Sequence, residues 1–179
     1  RGLPAPAPAP FADHESLLRA GAVDLVWVLT PPFLHHPVAR AALEAGCHVF
    51  LEKPGSLTLA QMDELAALAC ARRLAVGVDF VMRHNPIYRF LHAAAQAGVF
   101  GPPERAALEN HARGDHLPPG HWFWDERKSG GIWVEHGVHF FDLMTWLLGP
   151  PASLVALGGG RDAVTAVALH PLPGGPALA

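Results

Sequence analysis

Apolar and polar positions fall into short alternating blocks over the first eighty residues. Val23 to Leu29 (VDLVWVL), Cys47 to Leu51 (CHVFL) and Leu74 to Val78 are mostly apolar runs. Runs of this length and composition predict strands of a parallel sheet covered on both faces. Segments of helical character separate them. One runs from about His36 to Ala45, with Gly46 as its C′ residue. The next opens at Thr58, where the hydroxyl caps and Gln61 completes a capping box, and continues through Leu65 and Leu68 to about Arg73. Before all of these, Leu3 to Pro10 reads as an extended Pro-Ala stretch, and Asp13 to Ala20 as a short helix closed by Gly21. Strand, helix, strand, helix, strand with short loops predicts a parallel βαβαβ unit. Right-handed crossovers then bring Thr30, Lys53 and Asp79 to one edge of the sheet.

The pattern changes after Asp79. Pro86 to Ala97 reads as a helix ended by Gly98, and Arg105 to Arg113 as a strand. His116 to Lys128 is a loop rich in Pro and Trp. Gly131 to Leu148 is a long apolar helix stopped by Gly149-Pro150-Pro151, and Ser153 to Leu157 and Val164 to Leu169 are short strands. Strands without intervening helices predict an antiparallel sheet. The expected organisation is therefore two domains, residues 1–79 and 80–179.

Composition narrows the classes. Half of the 179 residues are hydrophobic and 16% are charged, as in a globular chain. A net charge of -3 with no Lys/Arg cluster argues against a nucleic-acid surface. No apolar run reaches the length of about 18 residues that a membrane span needs. Cys47 and Cys70 are too few for a disulfide framework and read as reduced core residues, so a cytoplasmic setting is expected.

Several groups carry candidate chemistry. Glu52-Lys53-Pro54 follows a buried strand directly, at the sheet edge where open α/β folds bind ligands. Charges there need partners. In the long helix, Glu135, His139, Asp142 and Trp146 fall on one stripe of an otherwise apolar surface. A polar seam with Asp142 paired to Arg83 is the plain structural account of part of that stripe. A metal held by Glu135, His139 and Asp142 is the less favoured account, and no metal is assigned. Gly137, inside the helix, suggests close approach of another backbone or a ligand. Thr30-Pro31-Pro32-Phe33-Leu34-His35 leaves the first strand at its carboxyl end. Arg83-His84-Asn85-Pro86 stands at the domain junction, and Trp122 lies in an aromatic loop before the long helix.

Together these residues resemble the glucose-fructose oxidoreductase and inositol dehydrogenase family (Gfo/Idh/MocA). The Thr30-Pro31 strand end with His35, Ala45-Gly46-Cys47-His48-Val49 leading to Glu52-Lys53-Pro54, and Arg83 with Pro86 resemble its motifs in order. Gly130-Gly131-x-x-x-Glu135-x-Gly137-x-His139-x-x-Asp142 resembles its Gly-Gly-x-x-x-Asp-x-Gly-x-His-x-x-Asp helix. The resemblance runs from about residue 11 to 170.

The resemblance implies an α/β fold: a partial Rossmann-type parallel sheet without its first βαβ half, then a partial α+β domain with an antiparallel sheet. It implies an oxidoreductase that moves a hydride between NAD or NADP and a sugar, cyclitol or related polyol. Lys53, His139 and Glu135 are the implied catalytic residues. Thr30, Pro31, His35, Glu52, Lys53 and Pro54 are implied for the cofactor, and Lys53, Arg83, Trp122, Glu135 and His139 for the substrate. A homo-oligomer is implied for the full-length form. Glu135 stands where the family has Asp. The family's Gly-x-Gly-x-x-Gly turn has no counterpart, so the chain is expected to be truncated at both ends. The alternatives are a non-catalytic sugar-binding or regulatory relative, or an inactive fragment.

Overall fold

The structure is a computed structural model and describes residues 10–101, 106–111, 117–158 and 164–171. The Pro-Ala stretch up to residue 9 and the ends of the strand expected over 105–113 lie outside these. Residues 106–111, in the middle of that expected strand, form none.

A short helix, α1 (His14–Arg19), starts at Asp13, whose carboxylate accepts from the Ser16 N–H at 2.7 Å. Then come β1 (Leu25–Val28), α2 (His35–Glu44), β2 (His48–Leu51), α3 (Leu59–Arg72) and β3 (Val76–Val78). The three strands are parallel and ordered β1-β2-β3. Two right-handed crossovers in one direction put α2 and α3 on the same side of the sheet. Their packing makes the core: Val26 and Val28 of β1, Val49 and Leu51 of β2, Val38, Ala39, Ala42 and Leu43 of α2, and Leu65 and Ala69 of α3.

Among the described residues the helices cover one face of the sheet, whereas the apolar runs read as covered on both. Leu25, Trp27 and Leu29 point away from the helices and are more than half exposed. On that bare face Trp27 meets Phe50 edge-on, with ring centroids 5.5 Å apart, and Gly77 gives Phe50 its room. Cys70 is also exposed, on the outer side of α3, whereas Cys47 is buried and donates to the Val23 carbonyl.

The helix ends follow local chemistry. Gly46, at φ 88°, closes α2, with the Gly46 N–H on Leu43 O and the Cys47 N–H on Ala42 O, both at 3.0 Å. Thr58 caps α3 through the Gln61 N–H, but the Gln61 side chain returns to the Leu57 N–H rather than to Thr58. The C-terminus of α3 is closed by Arg73 in the left-handed conformation, φ 56°, where glycine is usual.

The second part contains α4 (Pro86–Gln96), capped by Asn85, then α5 (Glu126–Ser129), α6 (Val138–Leu148), β4 (Ser153–Gly158) and β5 (Val164–Leu169). The last two pair antiparallel, from Ser153 opposite Leu169 to Gly158 opposite Val164. The loop expected before the long helix holds a turn at Trp122–Trp124 as well as α5. The long helix is present from residue 131, but Trp133–Gly137 is a π-helical turn rather than regular α-helix.

Candidate active site

The carboxyl edge of the sheet sets the first half of the site. Val28, Leu51 and Val78 share one register across the strands. The ladder runs one step further, with the Glu52 N–H on Val28 O at 3.0 Å and the Asp79 N–H on Leu51 O at 2.8 Å. Thr30, Lys53 and Asp79 therefore leave the sheet side by side, as the crossover argument predicts. The Lys53–Pro54 peptide bond is cis.

The second half comes from the glycine pair before the long helix. Asp125 caps α5, and the Ser129 hydroxyl, almost fully buried, donates to Asp125 O and accepts from the Gly131 N–H. Gly130 and Gly131 both have φ near 80°. A Cβ on Gly130 would lie 2.6 Å from the side chain of Val134, so this turn needs glycine for conformation and for room. The π-turn follows. Such turns loosen the regular i→i−4 ladder and are frequent at functional sites. Gly137 lies against Trp133 and Phe141 of its own helix, so the close neighbours expected from another backbone or a ligand are these rings.

The two halves meet at Lys53. Its ammonium donates to the Glu135 carbonyl at 2.9 Å and pairs with Glu135 Oε1 at 2.5 Å. Glu135 is buried, and the Lys53 side chain is 19% exposed. An ammonium has three protons to donate, so one remains for a ligand. Glu52 turns back onto the Lys53 N–H at 3.1 Å. His139 is half-buried, and its Nδ1 is buried with no partner among the described residues. Burial lowers its pKa below the usual 6.5, the charge of Lys53 lowers it further, and Glu135 and Glu52 oppose in part. A neutral imidazole beside a lysine ammonium and two carboxylates is able to take or pass on a proton.

The remaining candidate residues divide. Thr30 Oγ1 is also buried without a partner among the described residues, and it stands on the sheet edge next to Pro31. Pro54 is buried. His35 is fully buried with both ring nitrogens on backbone carbonyls, so its recognised contacts are with the loops around it. Arg83 makes a two-pronged pair with Asp142, Nε to Oδ2 at 2.8 Å and a terminal nitrogen to Oδ1 at 2.6 Å. Its guanidinium also lies 5.8 Å from the centre of the Trp146 ring. The plain structural account of Asp142, its pairing with Arg83, is the one observed. Trp122 is half-buried, with ring contacts to His121 and Phe123. Sequence reasoning missed the π-turn and the buried Ser129; the Gly130-Gly131 pair was the available signal for a special entry into the helix.

Residues 5–80 match the model of the oxidoreductase family with an NAD-binding Rossmann fold (GFO_IDH_MocA), and residues 88–169 match the GFO/IDH/MocA C-terminal domain. An uncharacterized oxidoreductase of Synechocystis sp. is 34% identical over 148 residues, which cover 82% of this chain and 40% of the relative. The scyllo-inositol 2-dehydrogenase (NAD(+)) of Bacillus subtilis is 28% identical over 149 residues, covering 83% of this chain and 42% of the relative. Among solved structures, the WlbA (WbpB) dehydrogenase from Thermus thermophilus in complex with NAD and alpha-ketoglutarate has a TM-score of 0.64 at 27% identity, over 82% of this chain and 47% of its own. The chain spans about two fifths of the length of these curated relatives. Motifs, fold and both matched stretches agree: the chain belongs to the Gfo/Idh/MocA oxidoreductase family.

Proposed function

We propose that these residues serve an NAD(P)-dependent oxidoreductase acting on a hydroxyl-bearing carbon of a sugar, cyclitol or related polyol. The observation that carries the reading is the convergence of Lys53, Glu135 and His139 from two distant parts of the chain at the carboxyl edge of a parallel sheet. Thr30 Oγ1 and His139 Nδ1, buried and unpartnered among the described residues, fit ligand groups. Thr30, Pro31 and Glu52 fit the nicotinamide end of the cofactor, which when bound supplies or accepts the hydride. Lys53 directs its remaining N–H at the substrate oxygen, while Glu135 holds the ammonium in place. His139 takes the hydroxyl proton during oxidation and returns it during reduction. Arg83 and Trp122 complete the substrate side in this reading, Arg83 with the N–H groups that Asp142 leaves unused.

The matched stretches support two units meeting near residue 80. The exposed Leu154, Val155, Leu157, Val167 and Leu169 of β4 and β5 support association of the full-length protein into a homo-oligomer. No helix among the described residues is long and apolar enough to cross a membrane, and a cytoplasmic setting accords with two free cysteines.

The test uses the natural protein that carries this sequence. Inositols and hexoses are offered with NAD and with NADP, and reduced nicotinamide is followed by absorbance. Turnover is expected with one cofactor, and Lys53→Met is expected to lower kcat by about 10²-fold or more. Unchanged turnover in Lys53→Met sinks the role of the lysine. Tight sugar binding without hydride transfer to either cofactor makes the protein a non-catalytic relative.

A further inference from the structure

His35 is the most deeply buried polar side chain among the described residues, with 0% exposure. It opens α2, one turn beyond the end of β1. Its Nδ1 lies 2.6 Å from Pro54 O and its Nε2 lies 2.6 Å from Thr30 O. A carbonyl oxygen has no proton to give, so each contact is a hydrogen bond only when the ring nitrogen donates. Both carbonyls lie within hydrogen-bond distance of a ring that solvent does not reach.

The two carbonyls belong to the two loops that build the site. Thr30 carries the unpartnered Oγ1, and Pro54 directly follows Lys53. The bond from the Glu52 N–H to Val28 O is the last backbone link between these two strands. Beyond it the loops separate, and the width of one imidazole bridges them. The charged groups on the surrounding elements are otherwise engaged. His36 and Arg40 of α2 pair with Glu64 of α3, Lys53 pairs with Glu135, Glu52 bonds the Lys53 N–H, and Lys128 of α5 lies over Phe33. None of these bonds the His35 ring.

We propose that His35 is a positioning residue: its ring lies between Thr30 O and Pro54 O, within hydrogen-bond distance of each, and so sets the gap between Thr30 and Lys53. The positioning role rests on the function proposed above; the place of the ring between the two loops does not.

The experiment is a long-range ¹H–¹⁵N correlation on ¹⁵N,¹³C-histidine protein at the pH of the activity assay. The His35 ring is identified through its own Cβ in the unaltered protein. A ring N–H slow to exchange is expected. A ring with no slowly exchanging N–H overturns the proposal, whatever the activity. A second measurement uses His35→Gln and His35→Asn, which place donors on one side only. In folded variants, kcat is expected to fall about 10²-fold while KM changes little, as for a misplaced reacting group. A fall in kcat that only tracks the loss of folded protein by circular dichroism overturns the positioning role. Where neither variant folds, the spectrum of the unaltered protein still decides. Absence of hydride transfer in the unaltered protein counts against the proposed function and leaves the ring assignment standing.

Discussion

Lys53 is held twice by one residue, through the carbonyl and the carboxylate of Glu135. The backbone contact is independent of side-chain identity; the carboxylate contact is not. That division makes the acid at position 135 testable on its own.

Glu135→Gln keeps the carbonyl contact and removes the charge. The Lys53 ammonium is then mostly enclosed with half of its support. Stability is expected to fall by about 1–3 kcal/mol, toward the lower end because Lys53 keeps some exposure. Turnover is expected to fall with it, since the ammonium loses its orientation. Glu135→Asp, with a shorter reach, is expected to recover part of both. Urea denaturation and initial rates on the same samples check this, and Gln equal to wild type on both refutes it.

The protonation of His139 gives the pH profile its direction. Burial first, and the Lys53 charge second, lower its pKa below 6.5. The imidazole therefore stays neutral and competent as a base below pH 6.5, and the acid limb of kcat/KM for oxidation is expected there. In Lys53→Arg the limb should stay, while in Lys53→Met it should move up toward 6.5, because one lowering cause is gone. The folding sign follows from the same shift. The unfolded chain binds this proton more readily, so stability rises with pH between the folded value and about 6.5 and is lost as pH falls through that window. Melting curves from pH 5 to 7, compared with His139→Gln, show whether the slope belongs to this residue.

The Arg83–Asp142 pair ties the start of the second part to α6. The carboxylate is 8% exposed and the guanidinium 41%, so the acid depends on the pair more than the base does. Arg83→Ala is expected to lower stability by about 1–3 kcal/mol by leaving a buried carboxylate unmatched. Arg83→Lys replaces two bonds with one and should recover part of that. A double-mutant cycle with Asp142→Asn measures the coupling; a coupling of zero shows the pair to be incidental.

Much of this architecture was legible because its causes are local. The apolar runs, Gly46, the Thr58 cap and the Asn85-Pro86 start act over a few residues, and the shared edge of Thr30, Lys53 and Asp79 follows from crossover handedness. The pairing of Lys53 with Glu135 was legible only as two motifs awaiting each other. Other features have no local signature. Arg73 takes a left-handed cap where sequence would place glycine, at a cost of about 1–2 kcal/mol, because α3 must turn sharply into β3. The π-turn shifts Glu135 within a helix whose spacing reads as regular. Among the described residues helices cover one face of the sheet, whereas the apolar runs read as covered on both. Residues 106–111 alternate like a strand yet have no neighbouring strand among the described residues to pair with.

The contact between Lys53 and Glu135 spans 82 positions of chain, whereas the strands of the parallel sheet pair across only about 25. Loop-closure entropy grows slowly, and this difference costs only about 1 kcal/mol more. The sheet and its helices, built from nearer neighbours, are expected to form before the Lys53–Glu135 pair, which is then among the first contacts released when the molecule breathes.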